Sequence, residues 1–198
     1  MSKLKVDQIS KATGASPAIF TLPAADGTAG QYLQTDGAGN LTWGTPTAST
    51  NSPAFFAYLT ADQTVTDNTA TKLACDGELF DTASAYDKDT NYRFTVPAGE
   101  GGKYVVTTQI SYINGNAGGA VIKTMIYVGG VEKAFAYDDL APNGYENTVL
   151  MLQTILDLSA ADYVEAWGLW DMTPGTPGFG GDASSMSSYF SAFKLAGV

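Results

Sequence analysis

The side chains best spaced to do chemistry in this 198-residue chain are Asp87, Asp89 and Asn91. Oxygen ligands at alternate positions open a calcium-binding loop of the EF-hand type. In such a loop the sixth residue is glycine and the twelfth is glutamate, whereas this chain has Tyr92 and Ala98 there. We therefore favour a turn in which these side chains cap backbone amides before the next strand, and the calcium loop is the alternative.

The other candidates for catalysis are paired carboxylates and one cysteine. Asp76 and Glu78 flank a glycine, and Asp138 precedes Asp139, but both pairs lie in polar, turn-like sequence. General acid–base catalysis needs one carboxyl group buried with a shifted pKa. Cys75 is the single cysteine and the chain has no histidine, so neither a Cys-His nor a Ser-His pair can form. We predict no enzyme activity, no metal or cofactor, and Cys75 as a small buried apolar group.

The net charge of −10 is divided unevenly along the chain. The first fifty residues contain three lysines and three aspartates, so the other seven basic and seventeen acidic residues all follow them. An acidic domain cannot neutralise phosphates, which argues against a nucleic-acid partner. Residues 149–158, the longest apolar-rich stretch, are too few to span a bilayer, and residues 1–8 lack the apolar core of a signal peptide. We expect a soluble chain made in a cytoplasm.

Alternating apolar and polar residues, broken by Gly, Pro, Asn and Asp, predict an all-β fold. The predicted strands are residues 54–60, 71–74, 92–96, 103–113, 120–128, 132–137, 147–158, 163–170 and 187–195. The last strand lies at the chain end, so it must pair with strands made much earlier. Antiparallel jelly-roll sandwiches bring chain ends together in this way. We predict an antiparallel jelly-roll β-sandwich over residues 54–198, called the head, with its last strand in the middle of a sheet.

Three motifs of the head carry a family resemblance. The first combines YDKDT at 86–90, FTVP at 94–97 and GGKYVV at 101–106, the second is LDLSAADYV at 156–164, and the third is SYFSAFKL at 188–195. Their order resembles the globular head of the first complement component and its tumour-necrosis-factor-like relatives. The chain departs from that pattern at Ala161 and Ala192, where glycine is usual, and by one extra residue between Thr90 and Phe94. The resemblance implies a jelly-roll homotrimer whose sheet faces pack around a three-fold axis.

Residues 1–47 form a separate segment, which we call the arm. Short apolar runs precede a predicted hairpin with a glycine-rich tip at 36–40. Its candidate attachment residues are Leu4, Val6, Ile9, Tyr32, Leu33, Leu41 and Trp43. Small polar residues and proline at 48–53 predict a linker. The arm resembles the attachment and shaft modules of tailed-phage virion proteins, and the alternative is a low-complexity hairpin of the kind found in bacterial surface proteins.

The longest predicted loop covers residues 172–185. Long loops on a rigid sandwich often carry binding residues. The candidates here are Pro174, Pro177, Phe179 and Asp182, with Phe179 as an exposed anchor. We favour the alternative, a tolerated insertion between the last two strands, because the glycines give flexibility without a polar set that would fix a ligand.

These resemblances imply a non-enzymatic structural protein on the surface of a tailed-phage virion. We expect a homotrimeric capsid decoration or cement protein, assembled in the host cytoplasm and docked by its arm on the major capsid protein. The second interpretation is a tail fibre or receptor-binding protein, docked on a tail protein, with a lectin-like head that binds a host surface glycan or receptor. We expect neither a nucleic-acid partner nor insertion into a membrane.

Overall fold

The computed structural model describes residues 6–10, 19–46, 51–113, 120–140, 147–172 and 176–195. By its internal packing the chain divides into two compact units, Met1–Thr50 and Asn51–Val198. The described residues form strands, turns and irregular segments, and none of them belongs to a helix that could cross a membrane. The described part of the chain is therefore all-β, as the sequence predicts.

The first unit contains two short hairpins. Its antiparallel pairs are β1 (Gln8–Ser10) with β2 (Ile19–Thr21) and β3 (Tyr32–Thr35) with β4 (Leu41–Gly44). The Asp36 carboxylate shapes the tip of the second hairpin, because it accepts hydrogen bonds from the amides of Ala38 and Asn40 at 2.8 and 3.0 Å. A bridge between Thr21 and Asn40 joins the two hairpins. The hairpin predicted in the arm is thus present with its turn at the predicted tip.

The second unit is a sandwich of two antiparallel sheets. Its strands are β5 (Ala54–Tyr58), β6 (Gln63–Thr64), β7 (Thr71–Lys72), β8 (Gly77–Asp81), β9 (Tyr86–Asp87), β10 (Arg93–Thr95), β11 (Gly102–Ile113), β12 (Ala120–Val128), β13 (Val131–Leu140), β14 (Thr148–Leu158), β15 (Tyr163–Asp171), β16 (Gly178–Phe179) and β17 (Tyr189–Lys194). The seven-stranded sheet has the order β6-β16-β11-β17-β5-β8. Strands β16 and β17 pair with successive parts of one edge of β11, and β14 pairs with the opposite edge. The six-stranded sheet has the order β13-β12-β15-β10-β9, with β7 also paired to β15.

The last strand lies in the middle of the seven-stranded sheet. β17 pairs with β11 on one side and with β5 on the other, which confirms the prediction from the sequence. Phe190 and Ala192 face the core and are buried, so the methyl group of Ala192 fits where the resembled family has glycine. Phe193 points to the opposite side and is exposed, which leaves the outer face of this strand uncovered in the single chain.

Aromatic rings fill the space between the sheets. Phe55 stacks on Tyr86 and Phe94, with ring centroids 4.8 and 5.1 Å apart, and meets Phe190 edge-on at 5.0 Å. Burial of each such ring contributes about 1.5–3 kcal/mol. The single cysteine, Cys75, is buried beside this cluster as a free thiol. Apolar burial therefore stabilises the head without a disulfide.

The turn between β14 and β15 places Ala161 in the left-handed region, with φ of 71°. This is the position where the resembled family has glycine, and a non-glycine residue there costs about 1–2 kcal/mol. The amide of Ala161 donates a hydrogen bond to the carbonyl of Val96 at 2.9 Å, and the amide of Ser159 donates one to the Asp162 carboxylate at 2.8 Å. These bonds hold the turn in place despite the missing glycine.

Candidate interaction surfaces

The outer face of the seven-stranded sheet is apolar across five strands. Directly opposed residues of antiparallel strands point to the same side, so the register shows which side chains share this face. They are Phe80 on β8, Phe56 and Tyr58 on β5, Tyr189 and Phe193 on β17, Val105 on β11, and Val149, Met151 and Ile155 on β14. We call this set the apolar face.

Contacts across the apolar face hold its side chains in place. The Phe56 ring stacks on Tyr189 with centroids 5.0 Å apart, and the Tyr189 hydroxyl donates a hydrogen bond to Met151 Sδ at 3.7 Å. In the next row of the register the Gln153 amide donates a hydrogen bond to the Thr107 hydroxyl at 3.0 Å. Met151 nevertheless remains 56% exposed. An ordered, exposed apolar patch is typical of a surface that becomes buried in an assembly.

Charge on this side of the sheet lies at one end of the apolar face. Lys103 on β11 stands directly opposite Asp157 on β14, so the two charges offset each other. Farther along β11 the outward positions are Val105, Thr107 and Gln109, which are uncharged. The apolar face is therefore neutral on a head with a large acidic excess, and a second copy could meet it without local repulsion.

The attachment residues predicted in the arm fall into two groups. The side chains of the first group are exposed, and they are Val6, Ile9, Tyr32 and Leu33. The side chains of the second group, Leu41 and Trp43, are half-buried, and Leu4 lies outside the described residues. Ile9 stands opposite Phe20 across β1 and β2, and Phe20 is also exposed although the sequence analysis did not select it. The first hairpin therefore presents an open apolar pair for contact with another molecule.

Trp43 is held within its own unit. Its Nε1 donates a hydrogen bond to the carbonyl of Ala25 at 2.9 Å, and its ring covers Gly27 so closely that a Cβ there would lie 2.6 Å from Trp43 Cδ2. Leu33 stands directly opposite Trp43 across the hairpin. The indole therefore packs the arm together, and the exposed neighbours are the groups available to a partner.

The prediction that Phe179 is an exposed anchor is wrong. Gly178–Phe179 is strand β16, which pairs with β11 and β6. The Phe179 ring is 0% exposed and meets the Tyr112 ring edge-on, with centroids 5.6 Å apart. The surrounding Gly and Pro residues are typical of a loop, but two paired residues suffice to insert the ring between the sheets.

The other residues predicted in that loop do not form a binding set. Pro177 is buried, and its carbonyl accepts a hydrogen bond from the Val65 amide at 3.1 Å. Asp182 is exposed, but its carboxylate accepts hydrogen bonds from the amide and hydroxyl of Ser184, both at 2.7 Å, which lower its pKa. Pro174 lies outside the described residues. The described part of the segment is therefore built as a structural connection.

Asp87 caps the turn that precedes β10. Its carboxylate accepts hydrogen bonds from the amides of Asp89 and Thr90 and from the side chain of Asn91, at 3.2, 2.9 and 2.6 Å. The bond from the Asn91 side chain and that from the Thr90 amide lower the pKa of Asp87 to about 2. The favoured interpretation of this motif is confirmed, because the oxygen atoms of Asp87 serve the turn. Within the described ranges, no group of three or more His, Cys, Asp or Glu side chains could hold a metal ion.

The other candidates for catalysis, the paired carboxylates and Cys75, differ in their burial and in their hydrogen bonds. Partial burial raises the pKa of Asp76, but hydrogen bonds from the Thr60 amide and hydroxyl, at 2.9 and 2.8 Å, outweigh it and lower the pKa. Burial raises the pKa of Glu78. The carboxylates at 138–139 are exposed. Burial raises the pKa of the Cys75 thiol, which removes the thiolate that a nucleophile requires.

A second surface, which the sequence analysis missed, is the outer face of the six-stranded sheet. One register row crosses β13, β12, β15 and β7 with Phe135, Met125, Trp167 and Lys72. The rows beside it add Tyr137, Lys123 and Leu169 on one side and Glu132, Tyr127 and Glu165 on the other. We call this set the mixed face, because aromatic and charged side chains alternate on it.

Two ion pairs fix the polar groups of the mixed face. Lys72 Nζ lies 2.6 Å from Glu165 Oε1, and Trp167 Nε1 donates a hydrogen bond to Glu165 Oε2 at 3.1 Å. Lys123 Nζ lies 2.8 Å from Glu132 Oε2. The Trp167 ring is thereby held in one orientation, and the four charges cancel.

Comparison with known proteins bears on the fold. No protein-family model and no curated protein matches the chain. Among solved structures, the Eiger tumour necrosis factor of S. frugiperda is similar with a TM-score of 0.54 and 14% identity, over 73% of this chain and 93% of that one. The globular domain of zebrafish complement 1qA matches with a TM-score of 0.49 and 14% identity, over 73% of this chain and 98% of that one.

The likeness to Eiger assigns the fold of the head. An all-β sandwich of two antiparallel sheets with its last strand in mid-sheet superposes on a tumour necrosis factor, so the head is a jelly roll of that type. This confirms the fold class predicted from the sequence.

Proposed function

We propose that this chain is a homotrimeric capsid decoration protein of a tailed phage, docked by its arm and without enzyme activity. Two features of the chain support the proposal. The arm resembles the attachment modules of phage virion proteins, and the head has the fold of a family whose heads form trimers.

The apolar face is the observation that most strongly supports the proposed trimer. It presents Met151 and Ile155, 56% and 60% exposed, on a rigid sheet without a charge among its members. Exposed apolar area of this kind is stabilised when another copy covers it. The acidic excess lies on the head, so copies would meet most favourably at this neutral surface.

Docking is the proposed role of the arm. The arm has no net charge and exposes Val6, Ile9, Tyr32 and Leu33. Three arms joined to one trimeric head would bind a particle together, so each modest apolar contact gains from a high effective concentration. The proposed docking site of the arm is the crevice between neighbouring major capsid proteins.

Particles that lack the protein test this function. We expect them to lose resistance to heat or low salt and to adsorb to host cells at the normal rate. Full-length protein added back should restore the resistance at saturating copy number. A variant without residues 1–47 should remain folded and fail to join the particles, because the attachment contacts are on the arm.

The same experiment separates the two virion placements. Normal capsid resistance together with failed adsorption would contradict decoration and assign the protein to the tail as a receptor-binding fibre. Full occupancy by the variant without residues 1–47 would contradict docking by the arm and move the attachment contacts to the head.

A further inference from the structure

The mixed face carries open aromatic rings on a rigid support. Tyr137 is 58% exposed and Phe135 is 55% exposed. Beside them Tyr127 and Trp167 are half-buried, with ring centroids 5.3 Å apart. Met125, in register between Phe135 and Trp167, is only 2% exposed. The rings therefore form a layer over the sheet, and the outer two remain accessible.

Hydrogen-bonding groups stand among these rings. The Lys72–Glu165 and Lys123–Glu132 pairs place carboxylate and ammonium groups beside them, and Lys123 Nζ lies 4.4 Å from the Phe135 centroid. A carboxylate accepts about four hydrogen bonds and an ammonium group donates three. The Lys123–Glu132 pair, whose side chains are 27% and 31% exposed, can therefore bind further hydroxyl groups without breaking, whereas the buried Glu165 supports the Trp167 ring from below.

We infer that the mixed face binds a neutral oligosaccharide. A pyranose ring presents C–H groups on its faces and hydroxyl groups around its edge. An aromatic ring contacts the C–H face, and adjacent charged groups bind the hydroxyls. Tyr137 and Phe135 are the stacking rings, and Glu132 and Lys123 are the hydroxyl partners.

Charge and size favour a sugar over a protein at this surface. The core of a protein–protein interface is depleted of charged residues, which describes the apolar face and not the mixed face. Four strands at a spacing of about 4.8 Å make the mixed face about 14 Å wide, which suits a short oligosaccharide. The paired charges cancel, and the acidic excess of the head would repel an acidic polysaccharide, so the ligand is neutral.

Preorganisation lowers the cost of binding. The hydrogen bond from Trp167 to Glu165 and the two ion pairs fix the side chains before a ligand arrives, so little side-chain entropy is lost. The inference does not depend on the virion placement or on the trimer, because the mixed face and the apolar face belong to different sheets.

Titration of the full-length protein with maltotriose, cellotriose and mannotriose, up to about 10 mM, tests the inference by tryptophan fluorescence and NMR. We expect a saturable response to at least one of them. Tyr137→Ala and Glu132→Gln should each weaken that binding by about tenfold or more. Tyr137→Phe should retain most of the affinity because it keeps the ring, and Leu79→Ala, on the other sheet, should retain all of it.

Two outcomes would overturn the inference. One is the lack of a saturable response to all three sugars. The other is binding that Tyr137→Ala and Glu132→Gln leave unchanged, which would place the sugar elsewhere. Tyr137 is largely exposed, so its replacement leaves the core intact and the comparison remains informative. Capsid resistance plays no part in this readout, so sugar binding and decoration can fail separately.

Discussion

At the scale of single residues, the buried position of Phe179 requires a residue without a side chain, Gly168, in the facing sheet. A Cβ on Gly168 of β15 would lie 2.5 Å from Phe179 Cζ and 2.8 Å from Ile110 Cδ1. Glycine at 168 therefore leaves the space that the Phe179 ring occupies between the two sheets. The short strand β16 positions the ring there, and the edge-on contact with Tyr112 completes its surroundings.

Replacement of Phe179 by alanine should lower the free energy of unfolding by about 3–5 kcal/mol, because it leaves a cavity between the sheets. Urea unfolding followed by fluorescence measures the loss. Leu79→Ala is the control, since Leu79 is 61% exposed and its replacement should change stability by about 0.5 kcal/mol at most. Equal effects of the two substitutions would contradict the buried position of Phe179.

At the scale of elements, alternation predicts the long strands closely and the short ones unevenly. The strand predicted at 120–128 is present as Ala120–Val128, and that predicted at 103–113 differs from Gly102–Ile113 by one residue. The two-residue strand β7 lies within the strand predicted at 71–74, whereas the two-residue strands β6, β9 and β16 are too short to show a period. Strand β8 escapes prediction for another reason, because a bulge against β5 interrupts its register and its adjacent residues Leu79 and Phe80 are both exposed.

The second hairpin of the arm should depend on the contact between Trp43 and Gly27. Trp43→Ala removes the ring and its hydrogen bond to Ala25, and Gly27→Ala places a Cβ where the ring lies. Each change should raise the rate of limited proteolysis within the arm by about tenfold or more, because cleavage follows local unfolding. Ile19→Ala removes an exposed side chain and should leave the rate unchanged. An unchanged rate in Trp43→Ala would return Trp43 to the role of a free attachment residue.

At the scale of the whole molecule, the sequence predicts an interaction surface but not its position. In β14 both alternating sets are apolar, with Leu150, Leu152 and Leu156 in one and Met151 and Ile155 in the other. Alternation alone cannot decide which set faces the core. The structure packs the leucines against the core and exposes the other set, so the apolar face becomes visible only when the two sheets are assembled. The mixed face escapes prediction because its rows join the β12–β13 hairpin to β15 and β7, which are far from it in sequence.

The apolar face should decide the oligomeric state. We expect light scattering on the purified protein to give the mass of three chains at micromolar concentration. Met151→Lys puts a charge into the proposed contact, so it should raise the dissociation constant by about a hundredfold or more, since an unpaired buried charge costs several kcal/mol. Tyr137→Lys is the matched control, because it adds the same charge at a similarly exposed site on the mixed face and should leave the trimer intact. Circular dichroism of both variants should match that of the parent. A monomeric parent protein, or dissociation by both variants alike, would refute assembly through the apolar face.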